Sequence, residues 1–126
     1  MKQNKYGVSV GDVFICSWGY EQTNVDFYQV VSLAGESSVR VRQVVPEIVN
    51  ESYNSPMSGC FTYNLTHEPL APVERSLFIK DQEKGDLKRL KCFDREGKYP
   101  MFSVSSYADA TKVSKDTITT YESWYA

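Results

Sequence analysis

Few residues of this chain are of the types that carry out covalent chemistry. The sequence has three cysteines, Cys16, Cys60 and Cys92, and a single histidine, His67. Cys60 and His67 could act together as a thiol nucleophile and its base, although a solvated loop histidine beside Glu68 explains His67 equally simply. Phosphate-loop and HExxH motifs do not occur in the sequence. The sequence therefore predicts that the protein is not an enzyme.

The same residues give no sign of a metal site or a disulfide framework. The cysteines are widely spaced and form no CxxC pair, whereas a zinc site needs three or four ligands brought together by the fold. Asp94 and Glu96 form an acidic pair, but they lie in the predicted turn DREGK, where carboxylates are solvated. We therefore expect reduced thiols, no metal and no cofactor.

A cluster of aromatic residues around a short polar segment is the first candidate for binding. Trp18 and Tyr20 precede the segment Glu21-Gln22-Thr23-Asn24, and Tyr28 follows it. Tyrosine and tryptophan combine a large apolar ring with a polar group, which suits them to an interface as well as to a core. Both alternatives are open here. If the cluster is exposed, the predicted partner-binding residues are Trp18, Tyr20, Glu21, Gln22, Asn24 and Tyr28.

A second candidate surface is basic. Lysine and arginine side chains neutralise phosphates in nucleic-acid complexes, and the alternative, nucleic-acid-binding set is Arg40, Arg42, Lys84, Lys88, Arg89 and Lys91. Three acidic residues, Asp81, Glu83 and Asp86, are interleaved with the lysines, which favours an ordinary solvated face instead. The net charge of −2 gives no general attraction to nucleic acid or to anionic membranes.

Three predicted strands must position these residues. Gly11-Asp12 marks a turn, and the segments 13–20, 25–33 and 38–45 are rich in β-branched and aromatic residues. The connections between them are short, so the strands form an antiparallel meander over residues 11–45.

Alternation along these strands predicts which side chains face the core. The core candidates of the first two strands are Phe14 or Ile15, Phe27 and Val31, and Ile15, Phe27 and Val31 are expected to share the inward face. Both faces of the first strand are partly apolar, so coverage on two sides is an open alternative. In the third strand Val39, Val41 and Val45 are expected to point inward, whereas Arg40 and Arg42 point outward.

The rest of the chain has weaker patterns. Residues 46–73 contain four prolines and are predicted to form an irregular insertion. Residues 74–126 are predicted to supply the remaining strands and an aromatic tail that packs back onto the body. The segment SSYADATKVSK is the main candidate for a helical turn, capped by Ser105 or Ser106. We treat 1–126 as a single domain.

Sequence signals for membranes are weak. The first residues have no apolar signal-peptide region, and no apolar run approaches the length of a membrane helix. We therefore expect no membrane association and a cytoplasmic protein.

One resemblance concerns the fold. Gly11-Asp12, Ser17-Trp18, Phe27-Tyr28-Gln29-Val30 and Val39-Arg40-Val41 together are similar to the opening of SH3-like barrels, including Tudor-type domains. The resemblance implies a mainly β protein: a small SH3-like barrel of five or six antiparallel strands, with a long irregular middle segment and little helix. Tudor-type domains hold methylated cations in an aromatic cage, and the matching residues here are Trp18, Tyr20 and Tyr28.

A second resemblance concerns the biological setting. The segment SWGYEQTNVDFYQVV and the ending YESWYA resemble small, mostly uncharacterised proteins of bacteriophages and other mobile elements. The resemblance transfers no catalytic residues. It implies a bacterial cytoplasmic setting and a role in phage–host conflict, such as anti-CRISPR-like inhibition of a host defence complex. Together with the aromatic cluster and the lack of catalytic motifs, this predicts a non-enzymatic binding protein that docks on a host or phage protein complex. The alternative is an accessory protein that binds nucleic acid through the basic residues.

Overall fold

The computed structural model describes residue 4 and residues 6–18, 24–55, 58–65, 70–73, 79–92, 100–105, 108–113 and 117–123. Within these ranges the chain is built from β-strands and turns, without helix. The strands are β1 (Val13–Trp18), β2 (Asn24–Ala34), β3 (Ser38–Val45), β4 (Glu47–Ser55), β5 (Ser58–Asn64), β6 (Ala71–Pro72), β7 (Asp86–Arg89), β8 (Lys91–Cys92), β9 (Pro100–Ser105), β10 (Ala108–Val113) and β11 (Thr117–Ser123).

The larger sheet closes into a small barrel. Its strands follow the order β3-β2-β1-β10-β9-β8, and β7 pairs with the other edge of β3. Only Leu90 separates β7 from β8, so the segment 86–92 pairs with β3 along its first half and with β9 along its second half. Counted with this segment as one strand, the barrel has six antiparallel strands. The predicted mainly β, SH3-like barrel is confirmed.

Alternate residues of the barrel strands fill its interior. Phe14 packs against Phe102 with ring centroids 4.9 Å apart, and Tyr28 meets the same Phe102 ring edge-on at 5.8 Å. Strand β10, which lies between β1 and β9, presents small side chains, Ala108 and Ala110, both buried. Ala110 is the register partner of Phe102, so a small residue lies beside a large one, as close packing requires. The other buried members of this cluster are Val8, Cys16, Val30, Val39, Val41, Ile79, Leu90 and Val104.

A second sheet covers one outer face of the barrel. It has the order β11-β5-β4, and its Tyr63 packs on Phe27 of β2 with ring centroids 4.6 Å apart. Val13, Val44 and Phe61 complete the buried layer between the two sheets, together with partly buried Ile15. Strands β1 and β2, and β3 at Val44, are therefore covered on both faces over much of their length.

This double burial corrects the predicted inward direction. Phe27 and Ile15 point away from the barrel interior, towards the second sheet, while Phe14 and Tyr28 point inside. Val31 falls where the β2–β3 register shifts between Val30 and Ser32, and such a bulge interrupts the alternation. The predictions for Ile15, Phe27 and Val31 were wrong because both faces of these strands are apolar, and alternation alone does not tell an interior face from a covered exterior one.

The third strand follows its predicted alternation at first. Val39 and Val41 are fully buried in the barrel, and Arg40 is exposed. Val45, predicted to point inward, is 55% exposed, since the strand has by then run past the end of the barrel core.

The middle and end of the chain are more regular than the sequence pattern indicated. Residues 47–55 and 58–64 form the β4–β5 hairpin, and the C-terminal β11 pairs with β5. Pro46 and Pro72 lie at strand ends and Pro100 begins β9, which are positions that tolerate a missing N–H donor. The segment predicted as a helical turn instead contains the strand β10, whose Ala108 and Ala110 are buried inside the barrel.

The glutamine side chain of Gln82 substitutes for a strand at the edge of β3. Its Oε1 accepts a hydrogen bond from the backbone N–H of Gln43 at 2.7 Å, and its Nε2 donates to the Gln43 carbonyl at 2.9 Å. The same Nε2 donates to the Val73 carbonyl at 2.7 Å. Gln82 therefore pairs with both backbone groups of Gln43 between the positions of β7 and β6, as a neighbouring strand would.

Candidate functional site

The aromatic hairpin is only partly described by the structure. Trp18 and Asn24 are opposite one another at the end of the β1–β2 ladder, and their side chains lie outside the described parts. Tyr20, Glu21 and Gln22 lie outside the described residues altogether. Partner binding by this hairpin therefore stays a prediction.

Among the predicted partner-binding residues, Tyr28 is the one whose side chain the structure describes, and it does not lie on the surface. Its side chain is fully buried inside the barrel, so the core alternative holds for this residue. Burial, followed by the nearby charges of Asp26 and Cys16, raises the pKa of the Tyr28 hydroxyl far above its ordinary value. The hydroxyl finds no hydrogen-bond partner among the described residues. Tyr28 thus serves packing, and its ring is not accessible to a partner in this fold.

The cysteines show no catalytic arrangement in the described part of the chain. Cys16 is buried in the barrel, and its burial, with the charges of Asp26 and Asp109, raises the pKa of its thiol to about 11. A thiol of this kind is unreactive at neutral pH. Cys60 is partly exposed, and His67, its hypothetical base, lies outside the described residues. No three His, Cys, Asp or Glu side chains come together as a metal site within the described ranges.

The predicted basic residues separate into two groups. Lys91 forms an ion pair with Asp109 at 3.3 Å, and its Nζ also donates to the Ser103 hydroxyl at 3.2 Å. Lys88 and Arg89 lie on β7, where they pair in register with Val39 and Ser38 of β3. These three residues follow the wall formed by β7 and β8.

The second group surrounds a cavity. Arg42 of β3 and Lys84 of the turn before β7 both line an open cavity of about 600 Å³. Arg40 lies beside it and donates a hydrogen bond from Nη1 to the carbonyl of Gly85 at 3.3 Å. Two residues that are far apart in the sequence, Arg42 and Lys84, are thus brought to one concave surface.

The cavity is lined in part by apolar residues, and the buried side-chain amide of Gln29 holds one of its walls in place. Val10, Val30 and Val31 form part of its lining, with Gly11 and Gln29. Gln29 is buried, donates from Nε2 to the Gly11 carbonyl at 3.0 Å, and accepts a hydrogen bond from the Leu70 N–H at 2.8 Å. Gly11 has φ +96°, a conformation that favours glycine. The Gln29 amide is therefore occupied in holding the wall of the cavity.

Sequence reasoning named the two cations but missed the cavity. Val10 and Gly11 belong to the segment before β1, which has no strand pattern, and Val31 lines the cavity because of the bulge in β2. The positive charges of Arg42 and Lys84 were the available signal. Their convergence depends on the pairing of β3 with β7, which brings the turn 81–85 against β3.

The strand β4 is a second candidate surface that the sequence pattern did not indicate. Every residue from 47 to 53 is exposed, and β4 pairs with β5 along one edge only, with no strand on its other edge among the described residues. The exposed apolar side chains are Ile48 at 42%, Val49 at 53% and Tyr53 at 60%. The β-branched pair Ile48-Val49 was the signal that could have identified the strand.

Comparison with known proteins gives no relative for the chain. No protein-family model matches it, and neither the curated proteins nor the solved structures contain a significant match. Within the described residues, no helix has the length and apolar character needed to cross a membrane.

Proposed function

We propose that the protein is a non-enzymatic binding protein that docks on a partner protein through the edge of β4. The observation that carries the proposal is the exposure of every β4 residue from 47 to 53. An exposed strand edge presents unpaired backbone N–H and C=O groups, and proteins usually protect such edges because another strand can add to them. A long edge that pairs with no strand among the described residues, and that carries apolar side chains, is a surface suited to strand addition.

The side chains of β4 define what the partner strand must offer. Glu47 and Glu51 are its charged residues, and both are exposed, so a partner segment with lysine or arginine is favoured. Val49 lies where the β4–β5 register shifts between Ile48 and Asn50, and it is 53% exposed. The expected occupant is an extended, basic segment of a partner protein with apolar residues that cover Val49 and Ile48.

The biological setting is also part of the proposal. The resemblance of the SWGYEQTNVDFYQVV segment to phage and mobile-element proteins supports a counter-defence inhibitor that acts in the bacterial cytoplasm by occluding a host protein complex. The β1–β2 hairpin, with Trp18, Tyr20 and residues 21–24, would provide a second contact.

The test compares two charge substitutions at similarly exposed valine and leucine positions. Val49→Lys places a cation on the β4 edge, and Leu87→Lys makes the same change on β7, where Leu87 is 56% exposed. Each variant and the wild-type chain are used to capture proteins from a bacterial host lysate, and the bound proteins are identified by mass spectrometry. Plating efficiency of a phage on a host with an active defence system is measured in parallel, with each version expressed.

The proposal expects a captured complex, and restored plating, with wild type and Leu87→Lys but not with Val49→Lys. Circular dichroism must show that all three chains keep the β fold. Equal capture by Val49→Lys and wild type would remove β4 as the docking edge. Capture that is lost only after Trp18→Ala and Tyr20→Ala together would place the interface on the hairpin instead.

Nucleic acid is the second candidate partner, favoured by the convergence of Arg42 and Lys84 with Arg40 nearby. Binding of single-stranded DNA and RNA is measured at about 50 mM and about 200 mM salt, a range over which phosphate contacts weaken steeply. Absence of binding at the lower salt concentration would dismiss this candidate.

A further inference from the structure

The cavity between the β2–β3 surface and the turn 81–85 has the features of a small-molecule site. Its volume is about 600 Å³, which lies within the range of ligand pockets. We propose that it binds a small ligand that carries an oxyanion, a phosphate or a carboxylate, on a compact apolar body. This proposal is independent of docking through β4, because the cavity lies on different strands.

Arg42 is the central reason for assigning an oxyanion. Its side chain lines the cavity and is half-buried. Its Nε is buried and finds no hydrogen-bond acceptor among the described residues, and the guanidinium forms no ion pair within them. Buried polar groups in proteins are satisfied in the great majority of cases. A guanidinium matches the geometry of carboxylate and phosphate oxygens, so the part of Arg42 that lines the cavity can bind an oxyanion there.

The turn that carries Lys84 is held in place by hydrogen bonds. The Lys84 N–H donates to Asp81 Oδ1 at 3.0 Å, and the Gly85 N–H donates to the Asp81 carbonyl at 2.8 Å. The Asp86 carboxylate accepts from the N–H groups of Lys80 and Asp81 at 2.8 and 3.0 Å. The backbone beneath Lys84 is therefore positioned before any ligand arrives, which lowers the entropic cost of binding.

The remaining walls define the body of the ligand. Val10 and Val31 offer apolar surface, which favours an aromatic or aliphatic group next to the anion. Glu83 also lines the cavity and leaves one net positive charge between itself, Arg42 and Lys84. This net charge suits a small anionic molecule.

The test uses three probes that share a benzene ring and differ in charge: phenyl phosphate, benzoate and benzyl alcohol. Each is titrated into the isotope-labelled full chain in the millimolar range, and amide chemical shifts are followed by NMR. We expect saturable shifts at Gly11, Val31 and Lys84 with at least one of the anions and not with benzyl alcohol. Tighter binding of phenyl phosphate assigns a phosphate ligand, and tighter binding of benzoate assigns a carboxylate.

Substitutions distinguish this site from general attraction to basic residues. Arg42→Met keeps most of the apolar stem and is expected to weaken anion binding at least about tenfold. Lys91→Met is the matched control, because Lys91 is paired with Asp109 outside the cavity, and it is expected to leave binding unchanged. Lys84→Met changes an exposed side chain of the same cavity. It is also expected to weaken anion binding, and it tests the proposal if Arg42→Met folds poorly. The proposal is overturned if neither anion binds, if benzyl alcohol binds equally well, or if both cavity variants bind as the wild type does.

Discussion

Gly85 lies directly against the backbone of Val41. A Cβ atom at Gly85 would come within 3.0 Å of the Val41 carbonyl oxygen and within 2.8 Å of Val31 Cγ2. Gly85 also has φ +85°. This contact brings the turn 81–85 against β3, and with it Lys84 to the cavity that Arg42 lines.

Gly85→Ala should lower the free energy of unfolding by about 3 kcal/mol, since it combines a left-handed backbone with a steric clash. Gly35→Ala is the control: Gly35 has φ +75°, but no atom lies within 4 Å of the place that a Cβ atom would take, so a loss of about 1 kcal/mol is expected. Urea unfolding of the two variants measures the difference. Equal losses would show that the contact with Val41 is not tight.

Tyr28→Phe should leave stability unchanged or raise it by up to about 1 kcal/mol. The Tyr28 hydroxyl is buried and finds no hydrogen-bond partner in the described part of the chain, so its removal relieves a desolvation cost. Tyr28→Ala should instead cost about 3–5 kcal/mol, because it opens a cavity beside Phe102. Urea unfolding of both variants gives these values. A clear loss of stability in Tyr28→Phe would show that the hydroxyl has a partner after all.

The stability of the protein should fall as the pH rises from about 9 to about 11. The pKa of the Cys16 thiol is raised from 9.0 to about 11 in the folded state, so the unfolded chain releases this proton first and is favoured as the pH rises. Below pH 9 the contribution is fully present.

Cys16→Ala should flatten this pH dependence. The comparison is made in a Tyr28→Phe background, because the raised pKa of Tyr28 acts in the same direction above its ordinary value of 10.0. Unfolding free energies are measured across the alkaline range for both chains. An identical slope with and without Cys16 would contradict the assignment.

Gln82→Ala should destabilise the barrel by about 2 kcal/mol, because the Gln43 N–H loses its acceptor. The Gln43 carbonyl keeps the Val73 N–H as a donor at 3.1 Å. Glu83→Ala, a change at the neighbouring exposed residue, should stay within about 0.5 kcal/mol of the wild type. Hydrogen exchange of the Gln43 amide gives a direct readout, and it should accelerate in Gln82→Ala alone. Unchanged protection of that amide would mean that another group takes the place of Gln82.

The residues of the candidate cavity could be predicted only in part from the sequence. Arg42 and Lys84 were identifiable as cations that could contact an anion, because charge is visible in the sequence. Their neighbourhood was not, since it depends on the pairing of β3 with β7 and on the bulge at Val31. For Tyr28 the sequence left two alternatives open, because tyrosine suits both a core and an interface. Only its packing against Phe102 places it in the core.

The sequence by itself determined that this is a β protein with a meander over its first strands. The signals for this were local. They were the alternation in 38–45, the β-branched and aromatic residues, and the turn glycines Gly11 and Gly35, which set the backbone conformation of their own segments. The tertiary structure decided which face of each strand enters the barrel, because Phe14 and Ile15 belong to opposite faces that are both apolar and both covered. The face with Phe14 points into the barrel interior, and the face with Ile15 is covered by the second sheet. A pattern with a period of two residues separates the faces of a strand, but the elements that come to cover each face are set by contacts between distant parts of the chain.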